Sequence, residues 1–243
     1  MLGTLLNAGA IVLGAILGLA TKSEIPLGRQ QQIKVLLGVA CVWFGFRLLW
    51  IGLATGSVKF FFYQLLIVLV AMIVGHAVGK LCGIQRLMNR IGQSAKVKLE
   101  RAAAQPNQAA GDGVIAAALL FCAAPLGIVG ALEDGFQRYF APLAIKAVMD
   151  GLAAFSFARM FGWTALVAAV PVAAFLSGLT LLGDRIEPWL AAQGLLGVVH
   201  ASGGLIMTYV TLVIFEVKKV EIANYLPALV VAPALMKLAQ MIF

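Results

Sequence analysis

The chain has 243 residues, 62% of them hydrophobic and 12% charged, with 18 Lys+Arg against 10 Asp+Glu for a formal charge of +8. A soluble domain carries about 25% charged residues; half of that cannot cover a water-facing surface, so a soluble globular enzyme is excluded and an integral membrane protein is expected. In such a chain the basic excess marks loops facing anionic cytoplasmic lipid, and with no aromatic-plus-basic interleaving there is no reason to expect nucleic acid as a partner.

A spanning helix needs about 20 mostly apolar residues. Eight stretches meet or approach that length: 5–20, 35–53, 60–79, 114–132, 141–158, 163–182, 190–215 and 222–243. The first is short and is expected to begin at Met1. It lacks a basic region before its apolar run, so it reads as a retained span and not as a cleaved signal peptide. Strand-like alternation is absent, so the expected fold is all-α, a polytopic bundle of about eight transmembrane helices.

Residues 84–113 are the one long polar stretch, basic at first and Ala/Gln/Pro/Gly/Asp-rich at the end. They read as a cytoplasmic linker between a first membrane half, 1–83, and a second, 114–243. With Leu87 and Ile91 opposite Arg86 and Arg90, the first part also has the pattern of an amphipathic helix lying on a membrane surface. Three spans precede this stretch and five follow it; the total of eight still allows an internal repeat of two four-helix halves, which would be parallel. His76-Ala-Val-Gly79 against His200-Ala-Ser-Gly203 is its weak echo, and chance likeness between Gly/Ala-rich helices explains it as well.

Orientation follows from basic residues in short loops. The loops after the odd-numbered spans hold Lys22, Arg29, Lys34, Lys80, Arg86, Arg90, Lys96, Lys98, Arg101, Arg159, Lys218 and Lys219, twelve of the eighteen basic residues. The opposite loops hold Lys59, Arg138 and Arg185 beside Glu133, Asp134, Asp184 and Glu187. Both termini are therefore expected on the outer, periplasmic side of a bacterial inner membrane.

Polar groups are costly in hydrocarbon, so those inside spans form the functional shortlist. Lys146 and Asp150 share one helical face four residues apart and can neutralise each other. They are either a packing ion pair or a titratable pair on a solute path, and Gly151 beside them admits another backbone or a substrate. Pro125, with Gly127 and Gly130, breaks span four. Pro227, after Asn224, breaks span eight, and Asn224 could supply an amide ligand there. Broken helices of this kind are simple kinks or form the midplane sites of transporters.

Glu133 and Asp134 follow the first break and are expected to face water near the outer interface; turned inward, they would form a cation-attracting mouth. Asn7 in span one reads as an interhelical hydrogen-bonder. His76 and His200 are candidate proton carriers, though a lone helix histidine more often bonds a neighbouring helix. Cys41, Cys82 and Cys122 are widely spaced and suit neither a disulfide framework nor a metal site, so no cofactor or metal is expected. Gly14/Gly18 and Gly75/Gly79 are small-residue stripes for close helix contact, within the bundle or in a homo-oligomer, a dimer in the simplest case.

The block Phe121-Cys-Ala-Ala-Pro-Leu-Gly-Ile-Val-Gly-Ala-Leu-Glu-Asp-Gly135, with Lys146-Ala-Val-Met-Asp150-Gly151 and Val220-Glu-Ile-Ala-Asn-Tyr-Leu-Pro-Ala-Leu229, resembles the hallmark blocks of one bacterial family. It is the domain of unknown function 554 family, the YdfK/YqgA-like inner-membrane proteins, and the likeness spans nearly the whole chain. The resemblance implies a fold and a compartment more than a reaction. It places the family's motif residues on Asn7, Pro125, Gly127, Asp134, Gly135, Lys146, Asp150, Gly151, Asn224 and Pro227. Where the family pattern leads to acidic residues near the end of span three and the start of span seven, this chain has His76 and Val198.

Broken helices, the Lys/Asp pair and the absence of a phosphate-binding G-x-x-x-x-G-K-[ST] loop suit a secondary transporter of a small solute or ion, proton- or cation-coupled. An anion would favour helix N-termini and Lys146, a cation Asp150 and freed carbonyls. The alternative is a membrane scaffold or a channel-forming oligomer. H-E-x-x-H and G-x-S-x-G motifs are missing, and Ser156, Ser177 and Ser202 have no evident partner, so enzymatic function is not expected.

Overall fold

The computed structural model describes residues 1–21, 25–54, 56–104, 109–217 and 220–242, without the side chains of 103, 104, 109 and 110. Lys22, Lys218 and Lys219, counted above for orientation, and residues 105–108 of the polar stretch lie outside the described residues. The helices in chain order are α1 (Leu2–Ala20), α2 (Leu27–Leu53), α3 (Val58–Cys82), α4 (Ile84–Ala104), α5 (Ala109–Cys122), α6 (Pro125–Gln137), α7 (Ala141–Phe161), α8 (Thr164–Val167), α9 (Ala169–Ala192), α10 (Leu196–Ile214) and α11 (Ala228–Ile242), with a 3-10 turn at Ile222–Tyr225. The described residues contain no strand. The protein is an all-α polytopic bundle, as its composition requires.

Most helix ends are explained by local chemistry. α1 starts at Leu2, with the expected first residue, Met1, as its N-cap. α2 begins eight residues before its apolar run, because Pro26 sets its first turn and accepts from Arg29 and Gln30 N–H, and the good helix formers between Arg29 and Lys34 continue it. Ser57 Oγ caps α3 by accepting from Phe60 N–H at 3.3 Å, and Gly83, at φ +67°, closes it in the left-handed region. One boundary corrects the sequence reading: the charged segment from Asp184 to Pro188, expected as a loop, is helical. The stop is six residues later, at Gly194 (φ +67°). There Leu195 N–H reaches back to Leu190 O at 2.9 Å, the bond a glycine-terminated helix makes. Pro188 stays in the helix without the backbone donor that would have met residue 184.

The polar stretch is helical wherever it is described before residue 105. α4 turns one side inward, with Ala95 and Ala102 buried and Met88, Ile91 and Leu99 half-buried, while Arg86, Arg90, Lys96 and Arg101 are exposed. Lys98 bonds Asp112 of α5 at 2.6 Å.

By contacts the chain forms two compact units, Met1–Gln31 with Leu87–Gly183 and Gln32–Arg86 with Asp184–Phe243. Each is built from two stretches distant in sequence. In the first unit Ile11, Phe121, Leu143, Val172 and Leu176 meet in one apolar core lined with alanines. Lipid is as apolar as leucine, so close fit and not hydrophobic burial must hold helices together. The glycine seams supply that fit. A Cβ on Gly14 or Gly18 would strike the carbonyls of Gly151 and Phe155 on α7. In the second unit one on Gly75 or Gly79 would strike Ala228 and Asn224, and Gly38, Gly45 and Gly52 are pressed against Phe215, Thr208 and Gly197. Both small-residue stripes of the sequence are thus occupied inside the chain.

The seams also count the membrane crossings. Gly3 meets Leu143, Asn7 meets Asp150 and Gly18 meets Phe155, so α1 and α7 run the same way. The contacts of α3 with α11, and of α2 with α10, run in reverse order, so those pairs are antiparallel. Each crossing reverses the chain. All three directions are satisfied only if α5 and α6, bent by 64° at their junction, together cross once instead of returning as a re-entrant loop. With the seven other long apolar helices, that makes eight spans among the described residues.

Candidate functional site

In the first unit the inward face of α7 carries Leu143, Lys146, Ala147, Asp150 and Ala154 at three- and four-residue spacing, all buried. Lys146 is 1% exposed and Asp150 7%. The i,i+4 pair forms as the spacing predicts, Lys146 Nζ donating to Asp150 Oδ2. The same oxygen accepts from Asn7 Nδ2 of α1 at 2.9 Å. Asn7 is fully buried, and its Oδ1 has no partner. Gly151 owes its place to the α1 backbone: a Cβ there would sit 3.0 Å from Ala10 O. The missing side chain is what lets α1 approach closely enough for Asn7 to reach Asp150.

The break in span four lies beside this triad. Pro125 occupies the first turn of α6 and cannot donate to the carbonyl four residues earlier, so α5 stops at Cys122. Its last carbonyls have no intrahelical donors. Gly127, just past the break, makes room for the stem of Lys146: a Cβ there would lie 2.6 Å from Lys146 Cε. The Cys122 thiol is within electrostatic range of both Lys146 and Asp150. Four elements thus meet around one buried ion pair, namely α1, the end of α5, the start of α6, and α7.

Asp134 lies farther along the same seam and corrects the expectation that it and Glu133 face water, since each is 1% exposed. The reason is the start of α1, which has no side-chain cap of its own. Asp134 Oδ2 accepts from Gly3 N–H at 3.1 Å and is 3.1 Å from the Met1 amino group. A carboxylate brought in from α6 thereby complements the positive end of α1. Its Oδ1 has no partner. Thr4 and Thr180 share a hydrogen bond of 3.1 Å in the same unit. Both were missed in the sequence, because a threonine in an apolar helix gives no signal.

Asn224, Pro227, His76 and His200 belong to the second unit. Asn224 acts there as a clasp: its Oδ1 accepts from Gln85 N–H at 3.0 Å and its Nδ2 donates to Glu221 at 2.7 Å, while Gln85 Oε1 accepts from Ala223 N–H at 3.0 Å. These bonds tie the 3-10 turn before Pro227 to the corner between α3 and α4. The ring of His76 packs 4.6 Å from Tyr225, whereas His200 is buried in α10, so the echoed histidines have unlike surroundings. Gln64 of α3, also missed, is buried opposite Gly197 with Oε1 unpartnered. As one amide among apolar neighbours it could have been singled out. Among the described residues no three His, Cys, Asp or Glu side chains group as metal ligands.

A family model described as protein of unknown function (DUF554) matches residues 2–237. The chain is 25% identical to the "Uncharacterized protein YqgA" of Escherichia coli (strain K12) over 233 residues, covering 96% of this chain and 94% of the relative. It is 24% identical over 233 residues, with the same coverage, to the "Uncharacterized membrane protein YdfK" of Bacillus subtilis (strain 168). No solved structure matches it significantly.

Proposed function

The chain belongs to the DUF554 family of membrane proteins, and from that premise we propose that it is a secondary transporter moving a small solute or ion by alternating access around the broken helix of its first unit. The observation that carries the reading is the buried Asn7–Asp150–Lys146 triad set against the break at Pro125. A buried ion pair is an expensive way to pack helices, since apolar residues of similar volume do so at no desolvation cost. A broken helix at membrane depth leaves backbone groups that need polar neighbours. Together they supply charge, polar ligands and a hinge at one place, as a carrier requires.

Asp150 is the ion-responsive carboxylate and Lys146 its counter-charge. Asn7 positions Asp150, and Gly127 leaves the space that the lysine stem fills. In this reading the protein sits in a bacterial inner membrane with both termini outside. The exposed basic residues of α4 and the Lys34 end of α2 then face the anionic cytoplasmic leaflet.

The test is solid-supported-membrane current from proteoliposomes exposed to jumps in organic acids, amino acids and monovalent cations at pH 5.5 and 7.5. A saturable current that Asp150→Asn abolishes, in protein that still folds, is the expected result. Equal currents from both proteins would remove Asp150 from the path. Silence in both currents and tracer exchange would favour a scaffold.

A further inference from the structure

The chemistry of the buried locus has a sign. Both donors that reach Asp150, the Lys146 ammonium and the Asn7 amide, converge on Oδ2. The fully buried atom left over is Asn7 Oδ1, the other end of that same amide and an acceptor. The second unpartnered side-chain atom along this seam, Asp134 Oδ1, is again an oxygen. The end of α5, whose Cys122 is within electrostatic range of the pair, adds backbone carbonyls: Leu119 O is met by Ala123 N–H at 3.0 Å, whereas Phe121 O loses its i+4 donor to Pro125. Lys146 and the Asn7 amide nitrogen have N–H groups to spare, but both sit on the Asp150 carboxylate, so an anion reaching them would meet that like charge at close range in a buried site. The charge count then sets the valence. One carboxylate is neutralised by one ammonium, so exchanging that ammonium for a monovalent cation keeps the site neutral, whereas a divalent ion would leave a buried positive charge.

We propose that Asp150, Asn7 Oδ1 and the terminal carbonyls of α5 form a binding site for a small monovalent cation, with the Lys146 ammonium as its tethered occupant. A cation from solution enters by displacing the lysine head, whose stem runs past Gly127 at the break. This rests on the transport reading only for its purpose, which is to identify the carried or coupled species; the site itself can be tested by binding alone.

The experiment is thermal unfolding of the purified full-length protein in detergent, followed by tryptophan fluorescence. Lithium, sodium, potassium, ammonium or methylammonium chloride is titrated against choline chloride at fixed ionic strength and pH. A parallel series titrates choline acetate and choline succinate. At least one small cation should raise the midpoint saturably, and the organic anions should not. Lys146→Ala, freed of the tethered competitor, should reach half-saturation at a tenfold or more lower concentration. Asn7→Ala, which retains the ion pair and loses the oxygen ligand, should need at least tenfold more and serves if the lysine variant does not fold. Midpoints insensitive to every cation in wild type, or a rise with organic anions at fixed cation, overturn the proposal. Saturable cation binding without flux in liposomes would defeat the transport reading and leave the site standing; flux with no cation dependence in binding would do the reverse.

Discussion

Neutralising one member of the Lys146/Asp150 pair should damage the protein more than neutralising both. With Lys146 1% exposed and Asp150 7%, neither charge reaches water when its partner is lost. Breaking a buried pair from one side costs about 3–5 kcal/mol, whereas replacing both partners with uncharged groups of similar volume is often near neutral. Lys146→Met leaves Asp150 with Asn7 as its remaining donor, and Asp150→Asn leaves a buried ammonium facing an amide. Each single variant should therefore lose about 3–5 kcal/mol. The double variant should lose less than either single one, which makes the coupling about 3 kcal/mol or more, over a hundredfold in the unfolding equilibrium. Reversible unfolding in mixed micelles with rising SDS, followed by circular dichroism, measures the three differences. Singles that cost under about 1 kcal/mol and add within about 0.5 kcal/mol would refute the burial of the pair and the site built on it.

Other consequences follow from the packing and the caps. Gly14→Ala and Gly18→Ala force a Cβ into the α7 backbone and should each cost about 1–3 kcal/mol, while Gly9→Ala, which meets nothing within 4 Å, should be neutral or stabilising; the same unfolding assay separates them. Gln85→Ala strands the Ala223 N–H, so the 3-10 turn should lose about 1–3 kcal/mol of local protection, read as faster hydrogen exchange at residues 222–226. Asp134→Ala removes the acceptor of Gly3 N–H and should cost about 0.5–2 kcal/mol, with faster exchange confined to the first turn of α1. On the surface, the hydrogen bond from Lys34 holds the Glu216 carboxyl below its usual range. A depressed carboxylate stabilises the fold above its unfolded pKa and loses that contribution as pH falls through the folded one. Lys34→Ala should therefore flatten this small part of the acid-side stability profile, as unfolding midpoints between pH 7 and pH 3.5 would show.

The spans were legible because length and apolarity are local properties, and the break at Pro125 because a proline mid-span removes a donor wherever it stands. The Lys146/Asp150 pair was legible because four-residue spacing is itself a contact. What the sequence hid was non-local. Nothing in the residues around Asp134 says that it caps a helix 131 positions away, so an acid near a span end was read as wet. Asn7 reads as a hydrogen-bonder of unknown partner until Gly151 is seen to bring α1 onto α7. Asn224 reads as a spare ligand until Gln85 and Glu221 are found to hold both its ends. The charged stretch before Pro188 was taken for a loop, because charge and proline are loop signals and the glycine stop at residue 194 is the weaker mark.

Alternating access at the break is tested most directly at Cys122, which lies beside the triad at the end of α5. With Cys41→Ala and Cys82→Ser it becomes the one thiol, and a small charged methanethiosulfonate can be applied to either side of oriented proteoliposomes. The account predicts labelling from both sides, with the ratio of the two rates changed by Asp150→Asn. Labelling from one side only, or from neither while SDS-unfolded protein reacts fully, would contradict it.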